Sequence, residues 1–411
     1  MSPAWYRTLD TDARRAFWTT FSGFSLDAMD IQLYAFVLPV LLTAWGLTHV
    51  EAGLLATVAL TSSALGGWLA GVLADRVGRV AMLKITILWF AVATCLCGLA
   101  GDFHQMLIAR ALQGLGFGGE LAVGAVFVAE VAAPQIRGRM VGMAQSGWAV
   151  GWGLAVVIST IVLSVLPPDL GWRITFVVGF LPALAVFFFR RRLQEPAAFR
   201  SITRRVPWHS IFAGPTLAMT AKGSLLAIGM HGGYWAIATW WPAMLRAERG
   251  LSIVDSSGYL AAIIAGSFLG YAFGSWLSDR AGRRVTLMAF AIGGIVLALS
   301  YAGLTISNVT LLLLSVPLGF IATGMFSVIG PVLTELYPTE LRGSGLGFCY
   351  NLGRGVAGVT PLLIGESVQR LGVGHAIGVY VAGAYGLVLL AAILLPETRG
   401  RELSAVPDVS P

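Results

Sequence analysis

The chain has 411 residues, 57% of them hydrophobic and only 11% charged, with a formal net charge of +7 and a mean hydropathy of +0.79. A soluble chain carries about a quarter charged residues, so this composition excludes a soluble enzyme and marks an all-α integral membrane protein whose first partner is the lipid bilayer. The basic excess has a topological pattern, described below, and does not point to nucleic acid.

A spanning helix needs about 20 mainly apolar residues. In chain order such stretches fall near 17–43, 50–73, 81–100, 105–130, 140–165, 173–190, 212–243, 257–278, 285–305, 309–336, 343–369 and 373–395, which predicts twelve transmembrane helices. The first run is too long for a cleavable signal, contains Asp27 and Asp30, and has no clear small-residue cleavage site, so it is expected to stay. Cys95, Cys97 and Cys349 fall inside spans and read as packing residues, with no disulfide or metal implied.

Twenty of the 27 Lys and Arg residues lie in alternate connections, including Arg14, Arg15, Arg76, Arg79, Arg137, Arg139, Arg190 to Arg192, Arg200, Arg204, Arg205, Arg280, Arg283, Arg284, Arg342, Arg399 and Arg401; Arg249 belongs to an intervening one. Basic loops stay on the cytoplasmic side, so both termini and the middle loop are expected there. Arg110, Lys222 and Arg354 remain inside predicted spans.

The first span carries "SLDAMDIQLYAF", with Asp27 and Asp30 three residues apart and Gln32 just beyond. An ionisable group in the bilayer centre is costly and is a functional hypothesis by default. At 1.5 Å per residue the two carboxylates lie roughly 15–20 Å deep, and a spacing of three turns them about 60° apart. Two carboxylates that close do not both ionise readily, and a carboxyl that exchanges a proton is what proton coupling requires. The fourth span opens on "RALQGLGFGGE"; it runs the other way and brings Glu120 to about the same depth, so that protonation of Asp30, Asp27 or Glu120 is expected to neutralise one carboxylate cluster and permit the loaded carrier to reorient. Arg110 lies roughly 15 Å further out on that helix and needs a partner of its own, either a first-span carboxylate or an anionic substrate.

Two motifs recur. "GVLADRVGR" at 71–79 returns as "GSWLSDRAGRR" at 274–284, with Asp75 and Asp279 offset by 204 residues, and "EVAAPQIRG" at 130–138 returns as "ELYPTELRG" at 335–343, offset by 205. Two motifs at nearly one offset indicate a duplicated six-helix unit. The expected organisation is a first bundle over 1–190, a linker over 191–210, a second bundle over 211–396 and a tail over 397–411. Gly78 and Gly282 permit tight reversals. Asp75 and Asp279 are placed to meet neighbouring helix N-termini, and Arg76, Arg79, Arg280 and Arg283 to meet phosphates or Glu130 and Glu335, with Arg137 and Arg342 beside them. Such contacts form a cytoplasmic gate.

The offset carries Asp27 and Asp30 onto His231 and Tyr234 in "GMHGGYWAIATWW", beside Trp235. Lys222 on the seventh span, and Tyr350, Asn351 and Arg354 on the eleventh ("CYNLGRG"), add cationic and aromatic groups to that half. A cationic, aromatic-lined cavity opposite protonatable carboxylates suits a small organic anion.

These residues resemble the major facilitator superfamily of secondary transporters. The family's Gly-x-Leu-x-Asp-Arg-x-Gly-Arg signature is matched by Gly71, Leu73, Asp75, Arg76, Gly78 and Arg79, its fourth-span Arg-x-x-Gln-Gly pattern by the stretch from Arg110, and its last-helix ending by "PETRGREL". "LDAMD", "GLGFGGE" and "SGWAVGW" are similar to the metabolite:proton and aromatic-acid:proton symporters, whose members carry nicotinate-like compounds, muconate, benzoate derivatives, sialate or short carboxylates. The aromatic-acid group usually has Asp-Gly-Phe-Asp where this chain has Asp-Ala-Met-Asp, which favours the metabolite branch. The resemblance implies a proton-coupled importer of a small organic acid in the bacterial inner membrane, working as a monomer by alternating access. A proton gradient drives it and no cofactor is needed. It extends to Arg110 the fourth-span arginine's part in coupling or substrate binding. A sugar or polyol symporter, favoured by "PETRGREL" and "RRRLQEPAAF", is the alternative transporter, a drug exporter a third, and a non-transporting nutrient sensor the alternative of another class. No nucleophile with a base, metal cluster or phosphate loop points to an enzyme.

Overall fold

The computed structural model describes residues 4–47, 49–191, 193–200, 206–247, 253–303 and 307–403. Arg192, Arg204, Arg205, Arg249, part of the linker and the end of the tail lie outside these residues. Every predicted span is a helix: α1 Thr11–Ala44, α2 His49–Val77, α3 Arg79–Leu99, α4 Phe103–Val131, α5 Arg137–Val165, α6 Pro168–Arg190, α7 Gly214–Ala247, α8 Ile253–Ala281, α9 Arg283–Gly303, α10 Asn308–Leu336, α11 (Arg342–Ala357 and Thr360–Leu371) and α12 Val373–Leu394. Among the described residues there is no strand, and eight helices are long and apolar enough to cross a membrane on length and composition.

Local chemistry sets where the helices begin and pause. Asp10, Asp102 and Ser307 are N-caps whose side-chain oxygens accept from Ala13 N (2.7 Å), Gln105 N (2.9 Å) and Thr310 N (3.2 Å), satisfying donors a helix start leaves open. Gly78 and Gly282 take φ of +118° and +103°, a region that a side chain would strain; they allow α2 to reverse into α3 and α8 into α9. The repeat also shows in two interruptions, since α4 pauses at Gly118 and α10 at Met325.

The twelve helices form two pseudo-symmetric six-helix bundles that meet chiefly through α2 against α11 and α5 against α8. The α2–α11 seam is closest at glycines. A Cβ on Gly71 would fall on the Gly343 carbonyl, and a Cβ on Gly343 on the Gly71 carbonyl, with Gly347 beside them. Helices in lipid gain little from burying apolar surface against each other, so close backbone approach supplies the contact.

Candidate functional site

Between the bundles lies a cavity lined from α1, α4, α5, α7, α8, α10 and α11. From the predicted set it gathers Asp27 on α1, His231, Tyr234 and Trp235 on α7, and Tyr350 and Arg354 on α11. Arg354 is 7% exposed. Its guanidinium carbon lies 4.7 Å from the centre of the Phe117 ring and 5.0 Å from that of Tyr350, and Nη1 donates to Ser63 Oγ at 3.3 Å. A charge held between two rings is stabilised by their faces while leaving donors for an anion. His231 is wedged edge-to-face against Tyr350 (4.5 Å between centroids) and Phe326 (5.2 Å). Its Nδ1 is 2.9 Å from Ala227 O; a carbonyl only accepts, so Nδ1 carries the proton and a neutral ring would keep its lone pair at Nε2.

Other predicted residues lie elsewhere, and helix rotation explains why. Gln32 is five residues past Asp27, about 140° around α1, and Ile31 lines the cavity in its place. Lys222 is nine residues before His231, on the opposite side of α7, half-buried and away from the cavity. Tyr350 and Arg354, four apart, share the cavity face of α11, whereas Asn351 turns toward α2, with Nδ2 donating to Gly347 O at 2.9 Å and its side chain against Gly67.

The two first-span carboxylates also separate. Asp27 faces the cavity; Asp30, 1% exposed, points into the first bundle. Its Oδ2 accepts from Thr94 Oγ1 at 3.1 Å, and that hydroxyl accepts from Gln113 Nε2 at 2.9 Å. The Gln113 Oε1 in turn accepts from Arg110 Nη1 at 2.7 Å. Arg110 also donates to Leu55 O and lies 4.2 Å from the centre of the Tyr34 ring. Asp30 and Arg110 are therefore joined through two intervening side chains.

Glu120 has a partner that the sequence reading placed in a cytoplasmic loop. Arg190, the last residue of α6, is fully buried. It grips both Glu120 oxygens, with Nη1 to Oε2 at 3.0 Å, and also donates to Leu83 O and Thr19 O. In the sequence Arg190 opens a basic run after an apolar span, which hides it among topology signals.

On the basic face, below the cavity, the repeated motifs form two matching networks that cross between bundles. Asp75 accepts from Gly343 N (3.0 Å), Ser344 N (2.7 Å) and Ser344 Oγ (2.7 Å) at the start of α11. Asp279 accepts from Gly138 N (2.9 Å) and Arg139 N (2.8 Å) at the start of α5. Helix N-termini favour such anions. Glu130 pairs with Arg79 (3.1 Å) and Arg342 (2.7 Å), and Glu335 with Arg283 (2.9 Å) and Arg137 (3.1 Å). Arg76 and Arg280 are exposed and take no part in these pairs; Arg280 lies over Trp276 at 5.5 Å. Each is one residue past the inward-facing Asp, which turns it about 100° away.

Several contributing residues went unread in the sequence. Gln145, Trp148, Tyr271 and Phe326 line the cavity; the Gln145 Nε2 is buried and, among the described residues, without a hydrogen-bond partner. Glu195 accepts from the backbone N–H groups of Arg79, Val80 and Ala81, and Glu397 from those of Arg283 and Arg284, so each bundle ends by capping its own third helix. Burial opposes charge on Glu397, but backbone donors from Arg283, Arg399, Arg284 and Thr398 outweigh it and hold its carboxyl below the ordinary value.

The Major Facilitator Superfamily model matches residues 20–361 and 261–406. The chain belongs to that family of transporters, and it is not an enzyme. It is 40% identical over 401 residues to a probable 4-methylmuconolactone transporter of Cupriavidus pinatubonensis, covering 97% of this chain and 94% of that one. It is 30% identical to a cis,cis-muconate transport protein of Acinetobacter baylyi (93% and 94% covered) and 28% identical to a niacin transporter of the same organism (95% of each). A proton:xylose symporter structure bound to 6-bromo-6-deoxy-D-glucose superposes with a TM-score of 0.80 at 19% identity, covering 96% of this chain and 98% of that one; this likeness speaks to the fold.

Proposed function

We propose that this superfamily member is a proton-coupled symporter that imports a small organic acid, aromatic or short-chain, by alternating access. One observation carries the reading: the cavity between the bundles sets the ring-flanked Arg354 guanidinium and the Asp27 carboxyl into one aromatic-walled space. Arg354 holds the substrate carboxylate, and the rings take up its apolar body. With Asp27 ionised the cavity holds a charge that repels a bound anion; protonating it cancels that repulsion, so acid and proton travel together. Asp30, tied to Arg110 through Thr94 and Gln113, is the second carboxyl of this coupling, whereas Glu120 is held as the partner of Arg190. The names of the relatives, a muconolactone, a muconate and a niacin transporter, support the acid class.

The positive-inside pattern supports a cytoplasmic basic face with both termini on it, the bacterial relatives support an inner-membrane location, and the carrier of this proposal works as a monomer. The networks around Asp75, Asp279, Glu130 and Glu335 then form the cytoplasmic gate, and inward release requires them to part.

The test is uptake into proteoliposomes of labelled muconate, nicotinate and benzoate under an imposed inward pH gradient. Saturable uptake that collapses with the gradient is expected, with Asp27→Asn and Asp30→Asn each losing the gradient dependence. Uptake indifferent to the gradient and to both substitutions overturns proton coupling. A saturable hexose signal with no acid signal returns the sugar reading, and binding without uptake the sensor.

A further inference from the structure

We propose a second ligand site inside the outer half of the second bundle, separate from the central cavity, for a neutral, mainly apolar small molecule that presents a hydrogen-bond acceptor.

A narrow hollow lies among α7, α9, α10 and α12. Most of its wall is aliphatic, and no charged residue lines it. Three polar atoms belong to its lining side chains: Trp241 Nε1, Tyr301 Oη and Tyr385 Oη. All three are buried and, among the described residues, none has a hydrogen-bond partner. Trp241 is 4% and Tyr385 1% exposed. Burying one such group unpaired costs about 1–3 kcal/mol, and native structures seldom leave three in one space.

The first bundle shows what these positions look like when filled. At the repeat offset Thr94 corresponds to Ala298 and Gln113 to Leu318. In the first bundle that pair completes the Asp30–Arg110 network; in the second, Ala298 and Leu318 are walls of the hollow. The polar filling of one half is absent from the other, and the unpaired donors stand beside the space.

The wall chemistry sets the occupant. Without a charged residue the site disfavours an ion. Indole N–H only donates, so the occupant must bring an acceptor, and the phenols add two donors or acceptors. The site also bears on the central cavity, because the Tyr385 ring lies directly against Gly233, the residue before the cavity-lining Tyr234.

Acetophenone, with one carbonyl acceptor, and its near-isostere α-methylstyrene, with none, are the probes. Saturation-transfer NMR on the full chain in nanodiscs, corrected against empty nanodiscs, should show saturable binding of the ketone, about threefold to tenfold tighter than of the olefin, as one neutral hydrogen bond predicts. Ala298→Leu should abolish binding by filling the space. Tyr301→Phe and Tyr385→Phe, which delete only a hydroxyl, and Trp241→Phe, which removes the indole N–H together with part of the ring, should each narrow or erase the preference, and they keep the test valid if Ala298→Leu fails to fold. No saturable binding, equal affinity for the two probes, or a preference unmoved by all three deletions overturns the proposal. None of these outcomes depends on what the central cavity transports.

Discussion

Replacing Glu120 with Gln tests whether its carboxylate is the fixed partner of Arg190. The pair is buried on both sides, Arg190 at 0% and Glu120 at 3% exposure, with two hydrogen bonds between them. Removing one partner of a buried pair costs about 3–5 kcal/mol because the other charge stays in a low dielectric. Gln keeps one acceptor for Arg190, and the carbonyls of Leu83 and Thr19 still accept from it, so the expected loss is at the lower end, about 3 kcal/mol. Thermal unfolding of purified protein should show a drop of several degrees. The double variant Glu120→Leu/Arg190→Met should recover much of that loss, because no uncompensated charge remains. Its recovery should be incomplete, since the carbonyls of Leu83 and Thr19 lose the additional donor that Arg190 supplies. A double-mutant cycle should give a coupling above about 1.5 kcal/mol. If Glu120→Gln unfolds with the wild type and the two single effects add, Glu120 is already neutral, and it returns as a third candidate proton carrier.

Arg354→Gln should raise the KM for organic acid uptake more than about tenfold while leaving the fold intact, since one charge-assisted pair is worth about 1.5–3 kcal/mol; unchanged KM separates Arg354 from the carboxylate. Asp75→Asn with Asp279→Asn removes the charge from both anchors at helix N-termini and should make an introduced Ser344→Cys label faster with a membrane-impermeant thiol reagent applied from the basic face; equal labelling argues that these anchors do not hold the gate. Glu397 has a folded-state affinity for protons below its ordinary one, so its contribution to stability is present above the ordinary carboxylate range and is lost as pH falls through the folded value. The gap in unfolding temperature between wild type and Glu397→Gln should therefore be small, as suits an exposed group, and should close on acidification; a gap that widens contradicts the capping role. Gly71→Leu should push α2 from α11 and reduce transport without loss of membrane insertion, measured as uptake per inserted protein.

The helices were legible because a spanning segment is a long-range average of apolar residues, which tolerates an Asp27 or an Arg354. The duplication was legible because Asp75/Asp279 and Glu130/Glu335 repeat at nearly one offset. Which way a side chain points was much less so. Asp27 and Asp30 differ by about 60°, enough to send one into the cavity and the other toward Thr94. Arg76 and Arg79 sit in one motif, yet only Arg79 reaches Glu130. Arg190 was hidden for another reason: an arginine at the end of a span reads as a loop charge until a buried Glu120 is known to need it. Glu195 and Glu397 lie in "RRRLQEPAAF" and "PETRGREL", but capping is a relation between distant segments, and only the fold brings Glu195 to Arg79 and Glu397 to Arg283.

The glycine seam between α2 and α11 has a mechanical consequence. Where Gly71 meets Gly343 and Gly347, the two helices touch on bare backbone and behave like a plain bearing: no side chain at that point must climb out of a notch for one to turn on the other. Detents have to come from elsewhere, and the nearest are the carboxylates at its basic end, where Asp75 grips the N–H groups of Gly343 itself and of Ser344 at the start of α11. Friction and locking are thus assigned to different atoms, so a substitution can stiffen the motion without changing which state is preferred, or shift the preference without stiffening it.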